Sequence, residues 1–124
     1  MSDETPETAR LRITRCGTQL TTAEIALRNA RDVEVEARHT YEAARRRAML
    51  SKDCPKVTRG GVTTAERDAH VDDQCADEYR AYQIAEAVRQ AAKDHLEVAR
   101  DQGMLSMSIL RSIDTAYNVS GSQR

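Results

Sequence analysis

The apolar residues of this chain recur at spacings of three and four over two long stretches, which is the period of helices that pack along one face. The second stretch runs from Ala65 to Ala99, is interrupted at Gly103, and resumes from Leu105 to Ala116. Because most of these positions are alanine, a partner helix can approach closely. In the first stretch the repeating positions are Ala26, Ala30, Val33, Ala37, Tyr41, Ala44 and Ala48.

Residues 51–70 (SKDCPKVTRGGVTTAERDAH) interrupt the helical pattern between the two stretches. Pro55 and the pair Gly60-Gly61 exclude a continuous helix, and we expect a connecting loop over about residues 52–62. A Thr-Thr-Ala-Glu capping box occurs at 21–24 and again at 63–66, which predicts helix starts near residues 21 and 64. The sequence therefore predicts an all-α fold: a long, coiled-coil-like antiparallel helical hairpin over residues 21–118.

The two ends of the chain are predicted to lie outside this hairpin. Residues 1–20 are polar, and a short helix that begins at Pro6 and ends at Gly17 is one interpretation of them. Residues 119–124 are expected to form a flexible tail. Gly103 costs about 1 kcal/mol relative to alanine in a helix, which leaves open whether the second helix kinks or ends there.

The last third of the chain holds its most apolar segment. A first helix of about thirty residues would span roughly 45 Å and a continuous second helix roughly 80 Å, so the first cannot cover the second. The uncovered segment must then meet the N-terminal residues, a second copy of the chain or a different protein, and a homo-oligomer is the preferred expectation. The predicted interface residues are Met104, Leu105, Met107, Ile109, Leu110 and Ile113.

Composition favours long helices with a thin core and excludes several classes of partner. The 124 residues include no Phe or Trp, and aromatic residues make up 3%, so little apolar area is buried and self-association is a natural remedy. The net charge of -1 gives no global attraction to nucleic acid or to a membrane, and no run approaches the roughly twenty apolar residues of a membrane span. An acidic start that does not read as a signal peptide, together with three unpaired cysteines, indicates a reducing cytoplasm.

Cations concentrate around the predicted loop. A local basic patch is the footprint of phosphate contact, so nucleic acid is one candidate partner. The preferred interpretation is that carboxylates at the start of the second helix, such as Asp68 and Asp72, neutralise the arginines, and no aromatic residues are interleaved to stack on bases. The cluster consists of Arg45, Arg46, Arg47, Lys52, Lys56 and Arg59.

The sequence contains no recognisable catalytic motif. We find no GxSxG, P-loop, HExxH or Cys–His pairing, so an enzyme is not expected and no catalytic residue or cofactor is predicted. His70, Asp73 and Asp77 share a helix face, but zinc sites have firmer Cys and His spacing. We interpret these residues as a solvated acidic face and predict no metal.

One stretch supports a resemblance: VTTAERDAHVDDQCADEYRAYQIAEAVRQAAKDHLEVARDQ, followed by LSMSILRSIDTAYNVS. Its opening, Val62 to Asp68, comes after a glycine-containing linker and before an alanine-rich helix. In this it resembles a group of short helical proteins encoded by bacteriophages of actinobacteria, over about residues 20–120. The resemblance implies a phage origin and expression in the cytoplasm of the bacterial host. The group has no assigned activity, so the resemblance assigns no role to any residue.

Together these patterns predict a non-enzymatic phage accessory protein that acts by helix-mediated self-association and by binding a host or phage protein. The first alternative is a nucleic-acid-binding accessory of phage replication or recombination that uses the basic cluster. A structural component of the virion is a further alternative.

Overall fold

The computed structural model of the protein describes residues 5–122, and every regular element within that range is a helix. Helix α1 spans Pro6–Leu50, α2 spans Thr64–Gln74 and α3 spans Ala76–Ser122. Residues 51–63 connect α1 to α2, and Cys75 alone separates α2 from α3. The predicted all-α class is confirmed.

Helix α1 begins fifteen residues before the start that the first capping box predicts. Thr5 Oγ1 accepts a hydrogen bond from the backbone N–H of Thr8 at 3.2 Å, so Thr5 caps a helix that opens at Pro6. The predicted helix end at Gly17 and the predicted start near Thr21 are therefore wrong. The Thr21 hydroxyl instead donates to the Gly17 carbonyl at 3.1 Å, which is what a threonine does inside a continuous helix.

Helix α2 begins at Thr64, as the second capping box predicts. Thr63 has extended backbone angles, and its hydroxyl accepts from the backbone N–H of Glu66 at 3.2 Å. Here the cap forms because the preceding residues are not helical, whereas the same motif at 21–24 lies within a continuous helix.

The second helix of the predicted hairpin is interrupted at Cys75 and not at Gly103. Cys75 has φ -107° and ψ 14°, yet its N–H still donates to the carbonyl of Val71, and Tyr79 donates to the carbonyl of Cys75. Helix α3 continues through Gly103 to Ser122, so part of the predicted flexible tail is helical. Residues 123 and 124 of that tail lie outside the described range.

The chain divides into two compact units. Unit 1 comprises Met1–Arg28 and Ala91–Arg124. Its helix segments are antiparallel, because Arg10 lies 3.4 Å from Asp114 and the Cys16 thiol lies 3.5 Å from the Ser106 hydroxyl. The core of unit 1 is formed by Ala23, Leu27, Leu96 and Ala99, with Leu20 and Ala92 packed against it.

Helix α1 is longer than the first helix of the predicted hairpin, because it begins at Pro6. It has 45 residues instead of the expected thirty or so, so it reaches further along the second helical stretch. In unit 1 the N-terminal part of α1 packs on the C-terminal part of α3, and Ile109, Leu110 and Ile113 are half-buried. The apolar segment of α3 is therefore partly covered by its own chain.

Unit 2 comprises Asn29–Gln90. Its helix segments are also antiparallel, because Glu34 binds Arg89 and Arg45 lies 3.7 Å from Asp72. The Tyr41 ring packs edge-on against two other rings, and its centre lies 5.0 Å from the centre of the Tyr79 ring and 6.0 Å from that of the Tyr82 ring. Cys54 brings the connector into the core of this unit, which is formed by Ala44, Ala48, Cys54, Val71 and Cys75.

In each unit the residues withdrawn from solvent recur at alternating spacings of four and three, which is the repeat of helices packed lengthwise. Five of the seven positions predicted for this stripe on α1 belong to it, and the other two are displaced by one residue, since Ala26 and Val33 are exposed and Leu27 and Glu34 take their places. On α1 these positions are Ala9, Ile13, Cys16, Leu20, Ala23 and Leu27 in unit 1, and Ala30, Glu34, Ala37, Tyr41, Ala44 and Ala48 in unit 2.

Two glycines in contrasting backbone conformations give a prediction for stability. Gly17 lies inside α1 with open space where the Cβ atom of another residue would lie, so Gly17→Ala is expected to raise the free energy of unfolding by about 0.5–1 kcal/mol. Gly60 has a φ of 80°, which alanine adopts only with strain, so Gly60→Ala is expected to lower it by about 1 kcal/mol. Urea denaturation followed by circular dichroism measures the free energy of unfolding of both variants. Equal changes of the same sign would contradict the opposite roles expected for the two glycines.

Candidate interaction surfaces

The structure exposes only part of the predicted apolar interface. Met104 is 72% exposed, Leu105 is 62% exposed and Met107 is 44% exposed. The other three predicted residues, Ile109, Leu110 and Ile113, are half-buried within unit 1. Large apolar side chains left in water at adjacent positions are a usual sign of a binding surface.

Around these methionine and leucine side chains lies a continuous strip of exposed residues, which we call the outer face of α3. It carries Val98, 53% exposed, on the N-terminal side of Met104 and Leu105, and small hydroxyl side chains on the C-terminal side. Its members follow helical spacing: Glu97, Val98, Asp101, Met104, Leu105, Ser108, Arg111 and Ser112.

The charges on the outer face are ordered along the helix. Glu97 and Asp101 precede its apolar centre, and Arg111 follows it. All three are exposed, and no ion pair within residues 5–122 involves any of them. Their charges are therefore free to meet a partner.

A shallow groove of about 330 Å³ runs beside this face in unit 1. Polar side chains form the α1 side, and Val98 connects the groove to the outer face of α3. Its lining is mostly neutral hydroxyl and amide groups, which suits helix packing or hydrogen bonding rather than acid–base chemistry. The residues that line it are Thr18, Gln19, Thr22, His95, Val98, Ala99 and Gln102.

The basic cluster divides into one engaged arginine and five exposed cations. Arg45 lies 3.7 Å from Asp72 and donates to the Tyr41 hydroxyl at 3.2 Å, and this hydrogen bond is the main cause that raises the pKa of Arg45. The predicted neutralisation by a carboxylate thus applies to Arg45. Within the described residues no ion pair involves the remaining cations, which are Arg46, Arg47, Lys52, Lys56 and Arg59.

A second pocket of about 330 Å³, in unit 2, contains a thiol. Cys75 lines it with Tyr41, Arg45, Asp72 and Tyr79, and is itself 1% exposed. Burial raises the pKa of the Cys75 thiol, so little thiolate forms at neutral pH. A protonated, buried thiol is a packing residue rather than a nucleophile.

The acidic start of the second predicted helix does not assemble into a metal site. Among residues 5–122, no three His, Cys, Asp or Glu side chains are grouped so that they would hold a metal ion. The Nε2 atom of His70 and the Nε atom of Arg67 are both buried without a hydrogen-bond partner, which lowers the stability of unit 2 locally.

Within the described range no helix has the length and apolar character that crossing a membrane requires.

Comparisons with known proteins identify no relative. No family model matches the chain, and neither a curated protein nor a solved structure is detectably similar to it. The two exposed surfaces, the outer face of α3 and the basic cluster, are therefore the candidate sites of interaction.

Proposed function

We propose that this chain is a non-enzymatic protein-interaction module that binds through the outer face of α3. The observation that carries the proposal is the exposure of Met104 and Leu105 at the centre of a helix face lined by small and charged residues. Exposure of such an apolar patch to water is unfavourable. Burying the patch against another helix is therefore a driving force of association. Self-association and the binding of a host or phage protein are both uses of this face.

The packing pattern supports a helical scaffold for this surface. We infer coiled-coil-like packing in each unit from the alternating four and three spacing of the buried positions. The two cavities described above are lined mostly by hydroxyl, amide and ion-paired side chains, and burial raises the pKa of the one thiol among them, which favours a binding role over catalysis.

We propose a bacteriophage origin and a site of action in the cytoplasm of the bacterial host. The support is the resemblance of the sequence from Val62 onwards to short helical phage proteins of actinobacteria. In that setting the protein acts as an accessory factor that docks on a host or phage component.

A variant-matched capture experiment tests the interaction proposal. Leu105→Glu places a carboxylate at the centre of the outer face of α3 and is expected to reduce capture of a specific partner from infected-cell lysate about tenfold or more. Val33→Glu, at an exposed position of unit 2, is the matched control and is expected to retain capture. Both samples are treated with nuclease, and equal capture by the two variants would refute the proposed surface.

Nucleic-acid binding is a second candidate function, favoured by the five exposed cations of the basic cluster. Replacing Arg46, Arg47 and Lys52 together by Gln is expected to weaken binding to DNA of any sequence and to flatten its salt dependence. Each lost phosphate contact on a duplex changes the slope of log K against log salt by about 0.9. Fluorescence anisotropy over a salt series measures this, and an unchanged slope would exclude these residues as phosphate contacts.

A further inference from the structure

We propose that the outer face of α3 pairs with the same face of a second copy of this chain, with the two α3 helices antiparallel about a two-fold axis near Leu105. This inference rests on the proposed function of that face and names one partner for it. A two-fold axis makes the interface self-complementary. If a residue of one copy contacts a second residue of the other copy, the same contact also forms with the two copies exchanged.

The sizes of the side chains along the face fit this pairing. Val98 lies seven residues before Leu105, and Ser112 lies seven residues after it. In an antiparallel pair centred on Leu105, each exposed Val98 therefore faces a small Ser112, while the Met104 and Leu105 side chains of the two copies meet at the centre. Large side chains opposite small ones let two helices pack closely.

The order of the charges selects the same arrangement. With a rise of about 1.5 Å per residue, Arg111 lies about 9 Å from Leu105 towards the C-terminus, while Asp101 and Glu97 lie about 6 and 12 Å from it towards the N-terminus. In an antiparallel pair, Arg111 of one copy therefore lies between Asp101 and Glu97 of the other copy. The two-fold axis repeats this contact, so it occurs at both ends of the interface. Parallel pairing in register would place like charges together, which is unfavourable.

The three charged side chains of the outer face are available for contacts with a second copy. Glu97, Asp101 and Arg111 are exposed and take part in no ion pair within the described residues. An unrelated helix would need the reversed charge order by coincidence, whereas a second copy supplies it necessarily. For this reason the second copy is the occupant that the surface fits best.

Charge reversal with the full-length protein tests the pairing by sedimentation equilibrium at low ionic strength. Arg111→Glu alone, and Glu97→Arg with Asp101→Arg, are each expected to weaken dimerisation about tenfold or more, because attraction becomes repulsion at both ends. Mixing the two variants is expected to restore a heterodimer, since every reversed group then meets its opposite. Arg31→Glu, which changes an exposed arginine of α1, is the control for the change in net charge and is expected to dimerise normally.

Each other outcome of this experiment overturns the inference. A wild-type chain that stays monomeric excludes the second copy as the partner, and the capture difference between Leu105→Glu and Val33→Glu still decides the proposed function independently. A dimer that is insensitive to Arg111→Glu, or variants that fail to recover on mixing, excludes the antiparallel two-fold geometry while leaving self-association intact.

Discussion

Replacing Leu96 with alanine is expected to lower the free energy of unfolding by about 2–4 kcal/mol. Leu96 is 4% exposed and belongs to the core of unit 1, where Ala23 and Ala99 are among its neighbours. Alanine neighbours have no side-chain flexibility with which to fill the cavity, so the loss exceeds the transfer free energy of the deleted atoms. Urea denaturation followed by the circular dichroism signal of the helices measures the change.

The control for this prediction is an exposed leucine of unit 1. Leu11 is 57% exposed, and Leu11→Ala is expected to change the free energy of unfolding by about 0.5 kcal/mol or less. A similar loss for both variants would mean that unit 1 is not stabilised by its buried leucine positions. The expected loss at Leu96 is a large share of the stability of about 5–15 kcal/mol that is typical of folded domains.

Local chemistry made some elements predictable from the sequence. Pro55 and the glycine pair that follows it exclude a helix whatever surrounds them, and Thr63 then has an extended backbone in which its hydroxyl can cap α2. The connector and the start of α2 are set by these residues alone. The same motif at 21–24 failed as a helix start because capping requires a non-helical residue before it, and Thr21 lies within α1.

Most of the packed face of α1 was predictable from the spacing of its apolar residues, but two positions were not. Ala26 and Val33 fit the repeat by composition, whereas α1 packs through Leu27 and Glu34, one residue further along. The partner segment decides between such neighbouring positions, and a single sequence does not state which residues that segment will bring.

The candidate surfaces were also only partly predictable from the sequence. The basic cluster and the apolar segment of α3 are visible in the composition of the chain. Which residues of that segment stay exposed depends on the N-terminal part of α1, which runs on without the break at Gly17 that the sequence pattern predicted. Exposure of Met104 and Leu105, and half-burial of Ile109, follow from packing in unit 1 and not from hydropathy.

Glu34 is the clearest case of a residue placed by tertiary structure. Its first partner is local, since Arg38, one turn further along α1, lies 3.4 Å from the Glu34 carboxylate. The second partner of Glu34 is Arg89, which is 55 residues away in sequence and donates to it at 2.5 Å. Both residues occupy the packed stripe of unit 2, where an ion pair favours one register over others.

Glu34→Gln is expected to destabilise unit 2 at neutral pH and to lose this effect in acid. The hydrogen bond from Arg89 is the main cause that holds the pKa of Glu34 below its ordinary value of 4.5, against the opposing effect of burial. A carboxylate with a lowered pKa in the folded state contributes stability that is fully present above 4.5 and is lost as the pH falls through the folded value. The difference in stability between wild type and Glu34→Gln should therefore shrink as the pH falls below 4.5.

Urea denaturation of both proteins at neutral pH and in acid measures that difference. Glu36→Gln, two residues further along on the exposed side of α1, is the matched control and is expected to change stability little at either pH. Exchanging the charges by Glu34→Arg with Arg89→Glu is expected to recover part of the loss that either single change causes, because the pair is rebuilt with its ends reversed. A stability difference that stays constant with pH would show that Glu34 contributes through packing alone, and the ion pair would then have no role in setting the register of unit 2.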